Sequence, residues 1–265
     1  MDKSNKSEMK VVILAGGLGT RISEETGIKP KPMVEIGSEP ILWHIMKFYS
    51  AYDYNDFIIC AGYKQNIIKD YFVSYLRNHI DIEVNLEKNV VNILNGHKEN
   101  WNIKVIDTGY LTMTGGRIKR IEKYVDGETF MLTYGDGLTN LNLVDLINSH
   151  NKSGKTLTIS AVQPKGRFGV LTIDDDRVLD FKEKPAGDNT WINGGYYVMN
   201  HDIFDYISGD DTIWEETPIK SLVNEKKVNA FKHNGFWKSM DTMTDKKQLE
   251  EIWNRGDAPW KVWKD

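Results

Sequence analysis

Over the first half of the chain, short apolar runs that stop at glycines alternate with stretches whose apolar residues recur every three or four positions. "KVVILA", Lys10 to Ala15, is continuous and ends in a glycine cluster, which predicts a strand buried on both faces. "DFIICAGY" and "TFMLTYGDG" have the same form, and "DIEVNL" and "WNIKVID" read as further strands. Between them, "PILWHIMKFYSAY" and "KQNIIKDYFVSYL" carry apolar residues at helical spacing, the first with a proline where a helix start tolerates one. "TGGRIKRIEKYV" reads as a helix opened by a Thr-Gly-Gly loop.

The second half changes character. "TLTISAVQ", "FGVLTID", "RVLDFKEKP" and "WINGGYYVMN" read as strands separated by short turns, with a hairpin around Asp174 to Asp176. Helical patterns return at "TPIKSLVNEK" and "TDKKQLEEIWNRG". Strand–helix alternation followed by hairpins predicts an α/β fold: a Rossmann-like, mixed but mostly parallel sheet flanked by helices, with extra β-hairpins in the second half. Ligands of such sheets bind at the carboxyl ends of the strands. No linker or repeat divides the chain, so residues 9–265 are expected to form a single domain behind a flexible tail, residues 1–8.

Composition narrows the function. Lys plus Arg is 34 and Asp plus Glu 38, a net charge of −4, which supplies no field for nucleic acid or an anionic membrane. The polar start "MDKSNKSE" has no signal-peptide core, and no apolar run approaches the length of a membrane span. The single cysteine, Cys60, sits in an apolar run and reads as core. The lack of a disulfide framework fits a reducing, cytoplasmic setting. Six histidines and one cysteine show no zinc-like spacing, and no G-x-S-x-G elbow is present.

The chemistry gathers at "ILAGGLGTRISEETGIKPKPMVEIG", from Ile13 to Gly37. The dinucleotide pattern G-x-G-x-x-G fails, because Ile22 follows Gly17 and Gly19 at its third glycine position. The Walker pattern also fails: "SGKT", Ser153 to Thr156, has Ser149 at the upstream glycine position and precedes a strand, so it reads as a turn. What remains is "GGLGTR" followed by "KPKP". Gly16, Gly17 and Gly19 bring bare N–H groups close to phosphate oxygens. Arg21 can fork two donors onto a phosphate, while Lys29 and Lys31 add point charges on a backbone stiffened by Pro30 and Pro32.

These segments, with "PILWHIMK" from Pro40 to Lys47, resemble the sugar-1-phosphate nucleotidyltransferases, and within that family the cytidylyltransferase branch. The similarity runs from about Lys10 into the tail. One departure is Ser23 or Glu24 where the common pattern has a proline, a trait that branch shares. The resemblance implies a nucleotidyltransferase fold of the glycosyltransferase-A-like kind. It also implies CTP and glucose 1-phosphate as substrates, Mg²⁺ as cofactor, and a homo-oligomer, in that branch a hexamer. It assigns the nucleotide to Leu14, Ala15, Gly16, Gly17, Leu18, Gly19, Thr20 and Arg21, with Thr112, Arg117 and Gly135 around the base or ribose. Tyr110 and Leu111 depart from the small polar residues familiar at those places. The sugar phosphate falls to Lys31, to Arg167 in "GRFG", to Glu183 and Lys184 in "FKEKP", and to Asn193 and Gly194 in "INGGYYV". Gly194 and Gly195 are expected to leave room for a hexose, and Trp237 either packs near the sugar or is structural.

Asp136 in "YGDG" and Asp241 in "FWKSMDTMTD" are implied metal ligands, since Mg²⁺ takes one or two carboxylates plus phosphate oxygens. The residues themselves leave other readings open: a turn acid for Asp136 and a helix N-cap for Asp241. Arg21, Lys31 and Asp136 are the implied catalytic groups. UTP or dTTP, another phosphorylated acceptor, or a silent nucleotide-sugar sensor stay open. The tail tryptophans Trp253, Trp260 and Trp263 suit either packing onto the domain or an interface.

Overall fold

The computed structural model describes residues 9–96, 99–164, 170–174, 176–182 and 190–264. In chain order its main elements are β1 (Val11–Ala15), α1 (Ile41–Ser50), β2 (Asp56–Ala61), α2 (Gln65–His79), β3 (Ile80–Asn85), β4 (Val90–Gly96), β5 (Asn102–Asp107), α3 (Thr114–Arg120) and β6 (Thr129–Tyr134). Then come β7 (Gly137–Thr139), α4 (Leu143–Ser153), β8 (Leu157–Val162), β9 (Val170–Asp174), β10 (Arg177–Lys182), β11 (Ile192–Asn200), α5 (Thr217–Asn224), β12 (Val228–His233), β13 (Trp237–Ser239) and α6 (Met243–Asn254).

Seven strands form the central sheet in the order β12-β8-β11-β6-β1-β2-β5. β11 runs against both its neighbours, and the other pairings are parallel. This is the mixed, mostly parallel sheet that the alternation predicts. Every residue of β1 is buried because both faces of the sheet are covered. Val11, Ile13 and Ala15 join a core with Ile41, Ile45 and Phe48 of α1, whereas Val12 and Leu14 join another with Ile118 of α3 and Leu222 of α5. Leu14 pairs with Cys60 on one side and Tyr134 on the other, so the carboxyl ends of β1, β2 and β6 open at one edge.

Three features depart from the sequence reading. "DIEVNL" is a strand as read, but its partner β4 has no counterpart in that reading: β3 and β4 pair in a hairpin apart from the main sheet, and Val84, Val91 and Ile93 are exposed on it. The glycines of "TGGRIKR" lie inside α3, where a Cβ on Gly115 or Gly116 would stand 2.7 or 2.5 Å from the Thr212 or Asp210 carbonyl oxygen. The α4 helix has no counterpart in that reading, although Leu143, Leu146, Ile147 and His150 are buried at helical spacing. Asn142 caps it, accepting from Val144 N at 3.0 Å. "SGKT" is indeed a turn, with Gly154 in the left-handed conformation after α4.

The tail packs back on the domain. Trp260 is fully buried, and Trp253 and Trp263 pack with it around His44 of α1. The His44 Nε2–H donates to the Ile36 carbonyl at 2.9 Å, and Trp260 Nε1–H points to its Nδ1 at 3.4 Å. Burial pushes the His44 pKa down to about 4. Cys60 is buried, with its thiol pushed up to about 12 by burial, as suits a core residue. Among the described residues no helix is long and apolar enough to cross a membrane.

Candidate active site

Where β1 ends, the glycine loop turns over the carboxyl edge of the sheet. Gly19 has φ 63°, a left-handed conformation that a side chain would strain, and its carbonyl accepts from the Thr26 hydroxyl at 3.0 Å. A Cβ on Gly16 would stand 2.2 Å from Arg117 Nη1, so the absence of a side chain there admits the Arg117 guanidinium beneath the loop. Beside Gly17 the space is open.

"KPKP" divides into two roles. Lys29 leaves the site and pairs with Glu35 at 2.9 Å. Pro32 is buried against Gly135, where a Cβ would come within 2.9 Å of Pro32 Cγ. That contact sets Lys31 beside Asp136. The Lys31 ammonium reaches Asp136 Oδ2 at 2.6 Å and Asp241 Oδ1 at 2.8 Å. Burial works to lower the Lys31 pKa, but the two carboxylates outweigh it and hold it above the usual lysine value. Burial likewise works to raise Asp241, and the Lys31 and Ser239 hydrogen bonds outweigh it and bring it below the usual carboxylate value.

A strand pair assembles the carboxylates. β7 follows Asp136 and β13 precedes Asp241, and their antiparallel register pairs Gly137 with Ser239. The Met240 N–H closes the ladder on the Asp136 carbonyl at 2.8 Å. Asp241 is not the N-cap of α6. Thr242 fills that position in a capping box with Asp245, so the Asp241 carboxylate is left to Lys31, to the Ser239 hydroxyl at 2.7 Å and to Arg21 at 3.8 Å.

Two cavities meet at these carboxylates. The larger, about 430 Å³, is lined by the loop from Leu14 to Gly17, by Gly19 to Arg21, and by Lys31, Thr112, Arg117 and Gly135. The smaller, about 200 Å³, is lined by Asn193, Gly194, Gly195 and Trp237. Tyr134, Asp136 and Asp241 belong to both. Leu18 does not line the larger cavity and is exposed. Arg21 is 80% exposed and free to reach over the opening.

Arg117 is nearly buried and faces no carboxylate within salt-bridge distance among the described residues. It donates to the Gly109 carbonyl at 2.7 Å and the Thr108 hydroxyl at 2.8 Å. Burial lowers its pKa below the usual guanidinium value.

On the other side, Asn193 is tied by its own backbone: its Oδ1 accepts from Gly195 N at 2.9 Å, and its amide donates to Tyr197 Oη at 2.5 Å. Gly194 and Gly195 line the smaller cavity, while the side on which each would carry a Cβ packs against protein. A Cβ at Gly194 would meet Ser160 Oγ at 2.7 Å, and one at Gly195 would meet the Tyr134 ring at 2.6 Å. Trp237 donates to the Gly194 carbonyl at 2.7 Å and forms a wall of the smaller cavity. Arg167, Glu183 and Lys184 lie outside the described residues.

Sequence reasoning missed Tyr134 and Ser239. Tyr134 stands directly before Gly135 and Asp136, and Ser239 two residues before Asp241, so adjacency could have found both.

Two cavities meeting at one pair of carboxylates beside a glycine loop suit an enzyme, and the chain belongs to the nucleotidyl transferase family, whose model matches residues 10–265. It is 50% identical over 256 residues to the glucose-1-phosphate cytidylyltransferase of Salmonella typhi, covering 96% of this chain and 100% of that protein. It is 42% identical, with the same coverage, to the probable glucose-1-phosphate cytidylyltransferase of Bacillus subtilis. Among solved structures it is similar to HddC from Yersinia pseudotuberculosis complexed with GMP-PN. There the TM-score is 0.67 and the identity 26%, covering 92% of this chain and 99% of that one.

Proposed function

We propose that this chain is a glucose-1-phosphate cytidylyltransferase, converting CTP and α-D-glucose 1-phosphate to CDP-D-glucose and diphosphate. The observation that carries this reading is the meeting of two cavities at Asp136 and Asp241, with Lys31 bonded to both carboxylates. The identity to the Salmonella enzyme over nearly the whole chain supports the choice of substrates.

The nucleotide enters the larger cavity, its triphosphate under the loop amides and Arg21. Thr112, Arg117 and Gly135 lie toward the base and ribose. The sugar phosphate enters the smaller cavity, its hexose near Asn193 and Trp237 and its phosphate toward Lys31. A phosphate oxygen of the sugar attacks the α-phosphorus in line. The bond to the bridging oxygen breaks, and diphosphate leaves with the electron pair. A phosphate monoester is already anionic, so no strong general base is required. The residues work by positioning and by charge: Lys31 offsets the two phosphates that must approach, and Arg21 offsets the leaving diphosphate.

The donor set fits a magnesium ion, because Asp136 and Asp241 are hard oxygen ligands already drawn to one cation. When bound there with phosphate oxygens, Mg²⁺ supplies Lewis-acid neutralisation of the reacting phosphates. We read residues 9–265 as one such domain in a cytoplasmic homo-oligomer; the exposed apolar residues of the β3–β4 hairpin support self-association.

The test is product formation. CTP, α-D-glucose 1-phosphate and Mg²⁺ are expected to yield CDP-glucose and diphosphate in equal amounts. CTP binding with no diphosphate released would contradict the proposal and favour a sensor.

A further inference from the structure

Behind both cavities runs a chain of hydrogen bonds that the mechanism leaves unused. It starts at the backbone of Trp214, whose N–H donates to the Thr114 hydroxyl at 2.9 Å. The Thr114 hydroxyl donates to Glu215 Oε2 at 2.7 Å. The other carboxylate oxygen, Oε1, accepts from the Tyr134 hydroxyl. Tyr134 Oη lies 2.9 Å from Tyr197 Oη, which in turn accepts from the Asn193 amide at 2.5 Å. Thr114 and Tyr134 line the larger cavity, and Tyr134 and Asn193 the smaller. Glu215 lines neither.

The direction of each bond follows from the carboxylate. An ionised Glu has no proton to give, so Thr114 and Tyr134 must both donate to it. Tyr134 has then spent its one proton, so Tyr197 must donate to Tyr134. Tyr197 has spent its own proton in turn, so the group of Asn193 that faces it must be the amide NH₂. The Asn193 oxygen is thereby turned to the Gly195 N–H at 2.9 Å. One acceptor therefore fixes which way the amide at the wall of the sugar cavity points. Tyr197 is fully buried, so water has no access to take over its bond.

We infer that Glu215 is a positioning residue for the sugar phosphate, acting through Tyr134 and Tyr197 on the amide of Asn193. This rests on the cytidylyltransferase reading and adds to it a specificity determinant remote from either substrate. In Glu215→Gln the side chain keeps its size but gains donors on one side. Thr114 already accepts from Trp214, so its proton needs the glutamine oxygen, and the new NH₂ faces Tyr134. Tyr134 must then donate to Tyr197, Tyr197 to Asn193, and the Asn193 amide is driven to turn over.

The experiment measures steady-state diphosphate release from CTP and glucose 1-phosphate by the full chain, its Glu215→Gln and Tyr197→Phe variants, and the double variant. Each single variant is expected to raise KM for glucose 1-phosphate about tenfold, with KM for CTP and kcat within about threefold. The double variant is expected to equal either single one, because both break the same relay. Additive effects, equal rises in both KM values, or unchanged KM values with only a lower melting temperature would overturn the inference. The wild type is the internal control for the reaction itself. No diphosphate from wild type overturns the cytidylyltransferase reading, whereas normal wild-type turnover with unchanged variants overturns only the role of Glu215.

Discussion

Lys31 and Asp136 are 105 residues apart in the chain, yet the lysine ammonium lies 2.6 Å from the aspartate carboxylate. Pro32 packing on Gly135 brings the two together, and the β7–β13 ladder brings Asp241 to the same ammonium. Lys31 therefore holds two negative charges close at the point where the cavities join. Lys31→Ala is expected to lower kcat by about a hundredfold, the cost of removing one preorganised charge from such a site. Diphosphate release under saturating substrates checks this, and a rate near wild type would remove Lys31 from the mechanism.

Asp136→Asn and Asp241→Asn each leave Lys31 one carboxylate partner and take away the negative charge that the proposed Mg²⁺ would use. Each is expected to lose at least about a hundredfold in turnover. The wild type is expected to stop when EDTA is added and to recover when Mg²⁺ is restored in excess. A rate indifferent to EDTA would rule out the magnesium assignment.

The glycine loop separates two kinds of glycine. A Cβ on Gly16 collides with Arg117 Nη1 at 2.2 Å, whereas a Cβ on Gly17 meets nothing within 4 Å. Gly16→Ala is expected to lower the melting temperature by several degrees, as a clash costing about 1–3 kcal/mol would. Gly17→Ala is expected to melt as wild type and to raise KM for CTP, because the proposed function puts the triphosphate in the open space beside it. Thermal melts of both variants, read beside their CTP kinetics, test the distinction.

His44 makes stability depend on pH. Its folded pKa of about 4 lies below the ordinary value of 6.5, so the unfolded chain binds the proton more readily. The contribution is fully kept above about pH 6.5 and is lost as pH falls toward 4, amounting to about 3 kcal/mol. Urea unfolding at pH 7 and at pH 4 is expected to show this loss in wild type and a fall smaller by that amount in His44→Phe. Equal pH slopes in the two proteins would contradict the buried neutral imidazole.

The parts of the site that sequence made legible are the local ones. Gly16 to Arg21 and the Lys-Pro pairs lie within one stretch, where a strand end, bare amides and cations follow one another and can be weighed together. Asp136 and Asp241 came only through family resemblance. β7 and β13 are too short to show a strand pattern, and their pairing joins segments about a hundred residues apart. Lys31 is likewise set apart from Lys29 only by that resemblance; physically the two look alike until Pro32 docks on Gly135. Glu215 was hidden because an acid among "EET" reads as a solvated face. Only the fold sets it behind Tyr134. In the fold, β1, β2 and β6 were plain because strands buried on both faces carry a continuous apolar run at their centre. The α4 helix was not, since its buried stripe is short and closes on a polar residue, with Leu143, Leu146 and Ile147 followed by His150.

The measurement that bears most directly on the central claim is initial diphosphate release over a matrix of nucleoside triphosphates and sugar 1-phosphates with Mg²⁺. CTP with glucose 1-phosphate is expected to give the highest kcat/KM, by at least about tenfold over UTP, dTTP or GTP, the discrimination that about 1.4 kcal/mol of differential binding supplies. A higher kcat/KM with UTP or dTTP, or no diphosphate from any pair, would contradict it.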